Sequence, residues 1–294
     1  MSGDAVDGRR VESTGDAIAD ASTPGSDHLV GTILRREIRT VVRTRTFLLL
    51  ALAVTLVLLA TAWVGGGIRA GYVPTVVDLL TPLELLIPIV AVAFGYRAVF
   101  ADEQRGELDV LRTYPVSSWH IIFGIYAGRA LGLIVTVTVP LLLIGIAVIA
   151  TDADTVRVYA THAGADSPLL FARAVVLTVV FALVVLAMAL ALSALASSTR
   201  SALALAIAAV IFLLVGADLA IVTGVASGVI GDSGLIYAIA LSPLSAYRGL
   251  VLETAVVVAS GTGPRTASPI ASLISLGCWM IGSLIVAILA LDRA

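Results

Sequence analysis

Six long apolar runs, separated by shorter polar segments, dominate the chain from residue 46 onward. Each run is long enough to cross a bilayer as a helix, because about 20 apolar residues span the hydrocarbon layer. The runs occupy residues 46–64, 79–100, 120–150, 169–196, 202–226 and 270–291. This pattern predicts an all-α membrane protein with six transmembrane helices.

Composition agrees with lipid as the solvent of residues 31–294, which we take as the membrane domain. Of the 294 residues, 59% are hydrophobic and 13% are charged, whereas a soluble domain carries about 25% charged residues. Residues 1–30 are different, because they are polar and mostly acidic and hold too few apolar side chains to build a core. We expect them to form a disordered acidic cytoplasmic tail.

The distribution of arginine predicts the orientation. All 18 basic residues are Arg, and cytoplasmic loops of membrane proteins are enriched in basic residues. With the amino terminus inside, ten Arg fall on inner segments and five on outer ones. We therefore expect both termini to be cytoplasmic in a multi-pass protein of the plasma membrane. The net charge of −2 does not indicate the basic surface that is typical of nucleic-acid-binding proteins.

Residues 236–259 form a further apolar stretch that is interrupted by Ser242-Pro243, Tyr247-Arg248 and Glu253. A seventh span would place Arg248 and Glu253 in lipid, at a cost of about 3 kcal/mol for each. It would also place the carboxyl terminus outside. We predict a re-entrant or interfacial hairpin on the outer face, between the fifth and sixth spans, with a seventh span as the alternative.

Two carboxylates fall within the predicted spans, Glu84 in the second and Asp218 in the fifth. Ionisable residues at membrane depth are candidates for a transport pathway. Both side chains could equally sit near the outer interface and face water. In the third span, Gly124, Gly128 and Gly132 recur every four residues, a spacing that favours close helix packing in lipid.

Several kinds of chemistry have no support in the sequence. The chain contains no Lys, and a P-loop requires one to reach the nucleotide phosphates. Any ATP must therefore be hydrolysed by another polypeptide. Cys278 is the single cysteine and the three His are far apart, so no metal site is predicted. An intramembrane enzyme using Glu84, Asp218 and a His would lack a recognisable nucleophile, whereas an ATP-independent scaffold or channel remains open as an alternative.

Residues 101–124 are a polar island between the second and third apolar runs. From Glu107 a short amphipathic helix is expected, with Leu108 and Leu111 on one side. Pro115 would end it, because the residue before a proline avoids helical geometry. A short surface helix with apolar side chains can insert into a groove on a partner. An ordinary solvated loop fits these features equally.

The polar island resembles the segment that follows the second span in ABC-2 type transporter permeases. The resemblance is carried by Glu103-x-x-Gly106-x-Leu108-x-x-Leu111-x-x-x-Pro115-Val116-Ser117, followed by Ile121-Ile122-Phe123-Gly124. It implies that residues 101–118 are the coupling segment, which in that family docks on the nucleotide-binding subunit. The implied contact residues are Glu103, Gly106, Glu107, Leu108, Leu111 and Pro115. One departure is Ile125, where family members often have a basic residue.

The same resemblance implies the rest of the assembly. We expect a type V exporter-like transmembrane domain, driven by a separate cytoplasmic ATPase subunit that binds ATP and Mg²⁺. This chain itself would hold no cofactor, and it would pair with a second permease, either a copy or a homologue. A shorter segment, Ser242-Pro243-Leu244-Ser245-Ala246-Tyr247-Arg248, resembles one found in the NosY-like branch of the family.

Overall fold

A computed structural model describes residues 45–100, 117–151, 166–257 and 267–293, and these residues form a bundle of helices. The helices are α1 Arg45–Gly65, α2 Gly67–Ala70, α3 Tyr72–Gly95, α4 Ser118–Ala150, α5 Pro168–Leu195, α6 Thr199–Ile211, α7 Ala217–Ala226, α8 Asp232–Leu241, α9 Pro243–Val251 and α10 Pro269–Arg293. A π-helical turn, Phe212–Gly216, joins α6 to α7, and a second one, Leu252–Val256, extends α9.

Within the described residues, six helical segments are long and apolar enough to cross a membrane. They are Phe47–Gly65, Tyr72–Gly95, Ser118–Ala150, Pro168–Leu195, Thr199–Ala226 and Pro269–Arg293. Each overlaps one predicted apolar run, so the prediction of six spans is confirmed. One further pair of helices, Gly234–Leu241 with Pro243–Val256, is bent by 114° at its junction.

Helix α5 lies at the centre of the bundle and packs against α3, α4, α9 and α10. It is apolar on every face, which is the pattern of a helix surrounded by protein, and Phe181, Val185 and Leu190 are fully buried in it. By contrast, α1, α6 and α10 expose most of their apolar side chains. The core therefore lies between α3, α4 and α5, and the outer helices present their faces to lipid or to a partner.

Contacts between helix ends define the two ends of the bundle. At the end that contains Arg45, here called the Arg45 end, the Ser193 hydroxyl accepts hydrogen bonds from the N–H groups of Val99 and Phe100. At this end too, the Ser118 hydroxyl donates to Asp292. At the other end, the Thr151 end, the Thr151 hydroxyl donates to the Ile68 carbonyl over 2.7 Å. The described chain thus begins and ends at the Arg45 end, and its assignment to the cytoplasm stays a prediction.

The start of α3 differs from the expected boundary. The second span was predicted to begin at residue 79, after a loop from Gly65 to Asp78, but α3 already begins at Tyr72. The Asp166 carboxylate accepts hydrogen bonds of 2.9 Å from the N–H groups of both Tyr72 and Val73. It supplies the cap that the residue preceding the helix, Gly71, cannot. The helix gains about two turns from a residue 94 positions away.

Candidate functional site

The hairpin of α8 and α9 turns at a local sequence signal. Ser242 has an extended backbone, as expected of a residue before proline, and its hydroxyl accepts a 3.3 Å hydrogen bond from the Ser245 N–H. Pro243 occupies the first position of α9, where its fixed backbone torsion suits a helix and its missing N–H costs nothing. Ser242-Pro243 therefore ends one helix and starts the next.

The hairpin enters and leaves the bundle at the Thr151 end. Helix α7 runs antiparallel to α5 and ends at this end, and α10 begins there. Between them the turn reaches the middle of the long helices. We call Leu241–Arg248 the hairpin tip. Its contact in α3, Glu84, is the thirteenth of that helix's 24 residues, and its contact in α10, Trp279, is the eleventh of 25.

On the α3 side the tip is held by a bidentate ion pair. Arg248 donates from Nε to Glu84 Oε1 over 2.6 Å and from Nη2 to Glu84 Oε2 over 2.5 Å. Glu84 is only 7% exposed, whereas the Arg248 side chain is 43% exposed. A buried carboxylate needs such a partner, because an unpaired charge in an apolar interior is costly. The paired hydrogen bonds also fix the orientation of the guanidinium.

On the α7 side the tip is held by a single neutral donor. The Ser245 hydroxyl donates to Asp218 Oδ1 over 2.7 Å, and Asp218 is partly exposed. The Asp218 charge also lies close enough to act on the Arg248 guanidinium. The tip therefore bonds to two carboxylates that come from different spanning helices, Glu84 through Arg248 and Asp218 through Ser245.

Two aromatic side chains hold the tip against the remaining neighbours. Tyr247 is fully buried, stacks on Phe181 of α5 with ring centroids 4.7 Å apart, and shares a 2.9 Å hydrogen bond with the Thr178 hydroxyl. From α10, Trp279 Nε1 donates to the Leu241 carbonyl over 3.0 Å. The tip is thus bonded to α3, α5, α7 and α10 together.

Polar groups in the part of the hairpin nearer the Thr151 end also have hydrogen-bond partners. Arg173 of α5 donates to the Thr254 carbonyl over 2.6 Å, and Glu253 accepts a 3.2 Å hydrogen bond from the Ala267 N–H. The two charges that argued against a seventh span, Arg248 and Glu253, therefore both have partners within the protein.

Glu84 and Asp218, the two residues singled out from the sequence, both bond to the hairpin tip. Glu84 was expected near the outer end of its helix, but the early start of α3 places it in the middle. Sequence reasoning missed Arg248 as their partner, since it was counted with the outer loops. It also missed Ser245, Tyr247 and Thr178. The available signal was the Ser-Pro…Tyr-Arg segment, which supplies most of the tip.

The comparisons with known proteins agree with this architecture. The model of the ABC-2 family transporter proteins matches residues 31–294, which is nearly the whole chain. The chain belongs to the ABC-2 transporter family. Family membership and six apolar helices together make it a multi-pass membrane protein.

Two relatives of this ABC-2 chain carry the name probable ABC transporter permease protein NosY. The chain is 32% identical to the one from Pseudomonas aeruginosa, over 35% of its own length and 39% of the relative's. It is 28% identical to the one from Stutzerimonas stutzeri, over 37% of its own length and 42% of the relative's. The matches thus span about two fifths of the curated relatives.

The other predicted site residues of this ABC-2 chain are placed only in part. The implied contact residues of the coupling segment, Glu103, Gly106, Glu107, Leu108, Leu111 and Pro115, lie outside the described residues. In α4, Gly124 and Gly128 are buried and Gly132 is partly exposed, and their role in close helix packing stays a prediction. Among the described residues, no group of three His, Cys, Asp or Glu is placed to hold a metal ion.

Proposed function

We propose that this chain is the membrane-spanning permease subunit of an ATP-driven exporter of the NosY-like branch. The observation that carries the proposal is the Glu84–Arg248 ion pair, which bonds the hairpin tip to α3. Helix α3 ends at Gly95, and a short turn connects it to residues 101–118, the segment that resembles the coupling segment of ABC-2 permeases. A push on that segment can therefore move the tip through this turn and a single helix.

The contacts at both ends of the coupling segment support this transmission. Before the segment, Val99 and Phe100 are bonded to Ser193 of α5. At its last residue, the Ser118 hydroxyl is bonded to Asp292 of α10. From Gly95 at the end of α3 to Glu84 the helix rises about 16 Å. Pro88 lies within this stretch and Tyr96–Val99 form a turn after it, so a displacement at the Arg45 end would reach the tip through this turn and the helix together.

In this proposal the Arg45 end faces the cytoplasm of the cell, and the chain resides in the plasma membrane. A separate ATPase subunit binds ATP and Mg²⁺ and docks on Glu103, Gly106, Glu107, Leu108, Leu111 and Pro115. A second permease, either a copy or a homologue, completes the membrane part. ATP binding shifts the population of the pair between inward-open and outward-open states.

The transport pathway in this proposal passes the charged cluster at the tip. The exposed part of Arg248 and the partly exposed Asp218 form an open polar surface at mid-depth, on a protein whose other long helices are almost wholly apolar there. Movement of the tip would alternately expose and cover this surface. Glu84, buried behind Arg248, holds the cation in position.

The docking assignment is tested by replacing Leu108 or Leu111 with Asp in the full chain and measuring co-purification of the ATPase subunit. We expect loss of the ATPase from the purified complex, because a charge replaces an apolar side chain that inserts into the partner. Ser197→Asp, an exposed position at the same end of the bundle, is the control and should retain the ATPase. Retention of the ATPase by the Leu108 and Leu111 variants would exclude this docking site.

A further inference from the structure

A large apolar groove opens beside the hairpin tip. It has a volume of about 950 Å³ and lies between α6 and α10, with the last turns of α5 as its floor. Leu205 and Phe212 form one wall, Trp279 and Val286 form the other, and Leu241 of the hairpin tip lies beside them. The groove runs along α10 from Ala271, past the tip, toward the Arg45 end.

The lining of the groove suits hydrocarbon. Among the described residues that line it none is charged, and most are Ala, Leu, Ile, Val or Met. The indole N–H of Trp279 is already bonded to the Leu241 carbonyl. The volume is within the range of about 300–1,000 Å³ found for ligand sites. Because α6 and α10 are spanning helices, the groove faces the acyl chains of the bilayer along its length.

Two arginines lie beyond the groove, on the side of the Arg45 end. Arg200 is the second residue of α6 and Arg293 is the last residue of α10, and both are exposed. Along their helices they are about 8 Å from Leu205 and about 10 Å from Val286. Long basic side chains at the ends of spanning helices reach the headgroup layer, and basic pockets between such helices bind anionic lipid headgroups.

We propose that this groove is a binding site for an anionic phospholipid. Its acyl chains lie between α6 and α10 against the floor of α5, and its phosphate lies between Arg200 and Arg293. The bound lipid fills the space under the hairpin tip and contacts Trp279, which holds the tip to α10.

Native mass spectrometry of the purified full chain, delipidated and then supplied with phosphatidylglycerol or phosphatidylcholine, tests the site. We expect a retained phosphatidylglycerol adduct and much weaker binding of phosphatidylcholine. The double variant Arg200→Gln with Arg293→Gln should weaken phosphatidylglycerol binding about 30-fold, because each basic residue near the surface contributes roughly fivefold to the affinity for anionic lipid.

A matched pair of arginines provides the control. Arg45→Gln with Arg97→Gln also removes two exposed charges from the Arg45 end, but neither residue flanks the groove, so phosphatidylglycerol binding should remain within about twofold of wild type. Equal loss in both double variants would overturn the proposal by showing a general charge effect. Equal binding of the two lipids by the wild-type chain would overturn it as well.

A second variant tests the acyl-chain part of the site without touching the charges. A side chain added at Gly282 would meet open space within the groove, so Gly282→Trp should fill it without disturbing the helix and should lower phosphatidylglycerol binding at least tenfold. Unchanged binding would overturn the placement of the chains.

The single cysteine, Cys278, also lines the groove and is exposed, so it reports on the alternative occupant. Efficient crosslinking of two chains through Cys278, with a short bifunctional thiol reagent, would show that a second copy covers the groove and would overturn the lipid assignment. We expect instead that phosphatidylglycerol protects Cys278 from a maleimide in wild type and not in the double Arg200, Arg293 variant.

Discussion

The two sides of the hairpin tip are fastened in different ways. Toward α3, two charge-assisted hydrogen bonds join Arg248 to a carboxylate that is almost fully buried. Toward α7, one hydroxyl bonds to a carboxylate that is partly exposed. Two hydrogen bonds between opposite charges at a buried carboxylate are stronger than one hydroxyl bond to a partly exposed carboxylate. The tip should therefore stay with α3 and α5 when the protein moves, and its contact with α7 is the one that opens.

Breaking the α3 side should have the largest effect. Arg248→Ala leaves the Glu84 carboxylate buried without a partner, and we expect a loss of about 2–3 kcal/mol in the free energy of unfolding. Titration with a denaturing detergent, followed by tryptophan fluorescence, measures this loss. Arg97→Ala removes an exposed arginine at the Arg45 end and should change little.

A double variant separates the loss of the ion pair from the cost of leaving the Glu84 carboxylate unpaired. Adding Glu84→Leu to Arg248→Ala removes the unpaired carboxylate, so the double variant should recover most of the lost stability while separating the tip from α3. A double variant no more stable than Arg248→Ala alone would mean that the guanidinium contributes through packing and not through the ion pair.

An intermediate effect is expected on the α5 side. Tyr247→Phe keeps the ring stack on Phe181 but removes the hydrogen bond to Thr178, at a cost of about 1 kcal/mol. The Thr178 hydroxyl retains its 2.8 Å bond to the Ala174 carbonyl, so no buried donor is left unsatisfied. Tyr237→Phe, at an exposed position of the same hairpin, is the matched control, and equal losses in the two variants would contradict the assigned contact.

The smallest effect is expected on the α7 side. Ser245→Ala removes the hydroxyl that donates to Asp218, yet water reaches this carboxylate in the proposed pathway, and we expect a change below about 0.5 kcal/mol. The same titration measures it. A loss as large as that of Arg248→Ala would reverse the comparison and make α7 the firm attachment.

Sequence predicted the spans well because the spans are local. A run of twenty apolar residues can be recognised as a span from its own sequence, without knowledge of its distant contacts, and the Ser242-Pro243 break is equally local. The start of α3 was missed because its cap, Asp166, comes from another part of the chain. The depth of Glu84 was missed for the same reason.

The sequence pointed to the two carboxylates of the candidate site but not to the role of Arg248. Glu84 and Asp218 were visible because a carboxylate in an apolar run is conspicuous. The role of Arg248 was not visible, since its sequence neighbours do not show how deeply the hairpin enters the bundle. The contact between Tyr247 and Thr178 could not be predicted because the two residues are far apart in sequence and neither type is unusual in a spanning helix.

The π-helical turn Phe212–Gly216 has a consequence for how the site was assembled. Such a turn holds one residue more than an α-helical turn, and each residue of a helix subtends about 100°. Removing one residue from this turn would rotate everything after it by that angle and carry Asp218 off the hairpin toward the surroundings. One extra residue in a stretch of plain apolar residues thus aims this carboxylate at the tip.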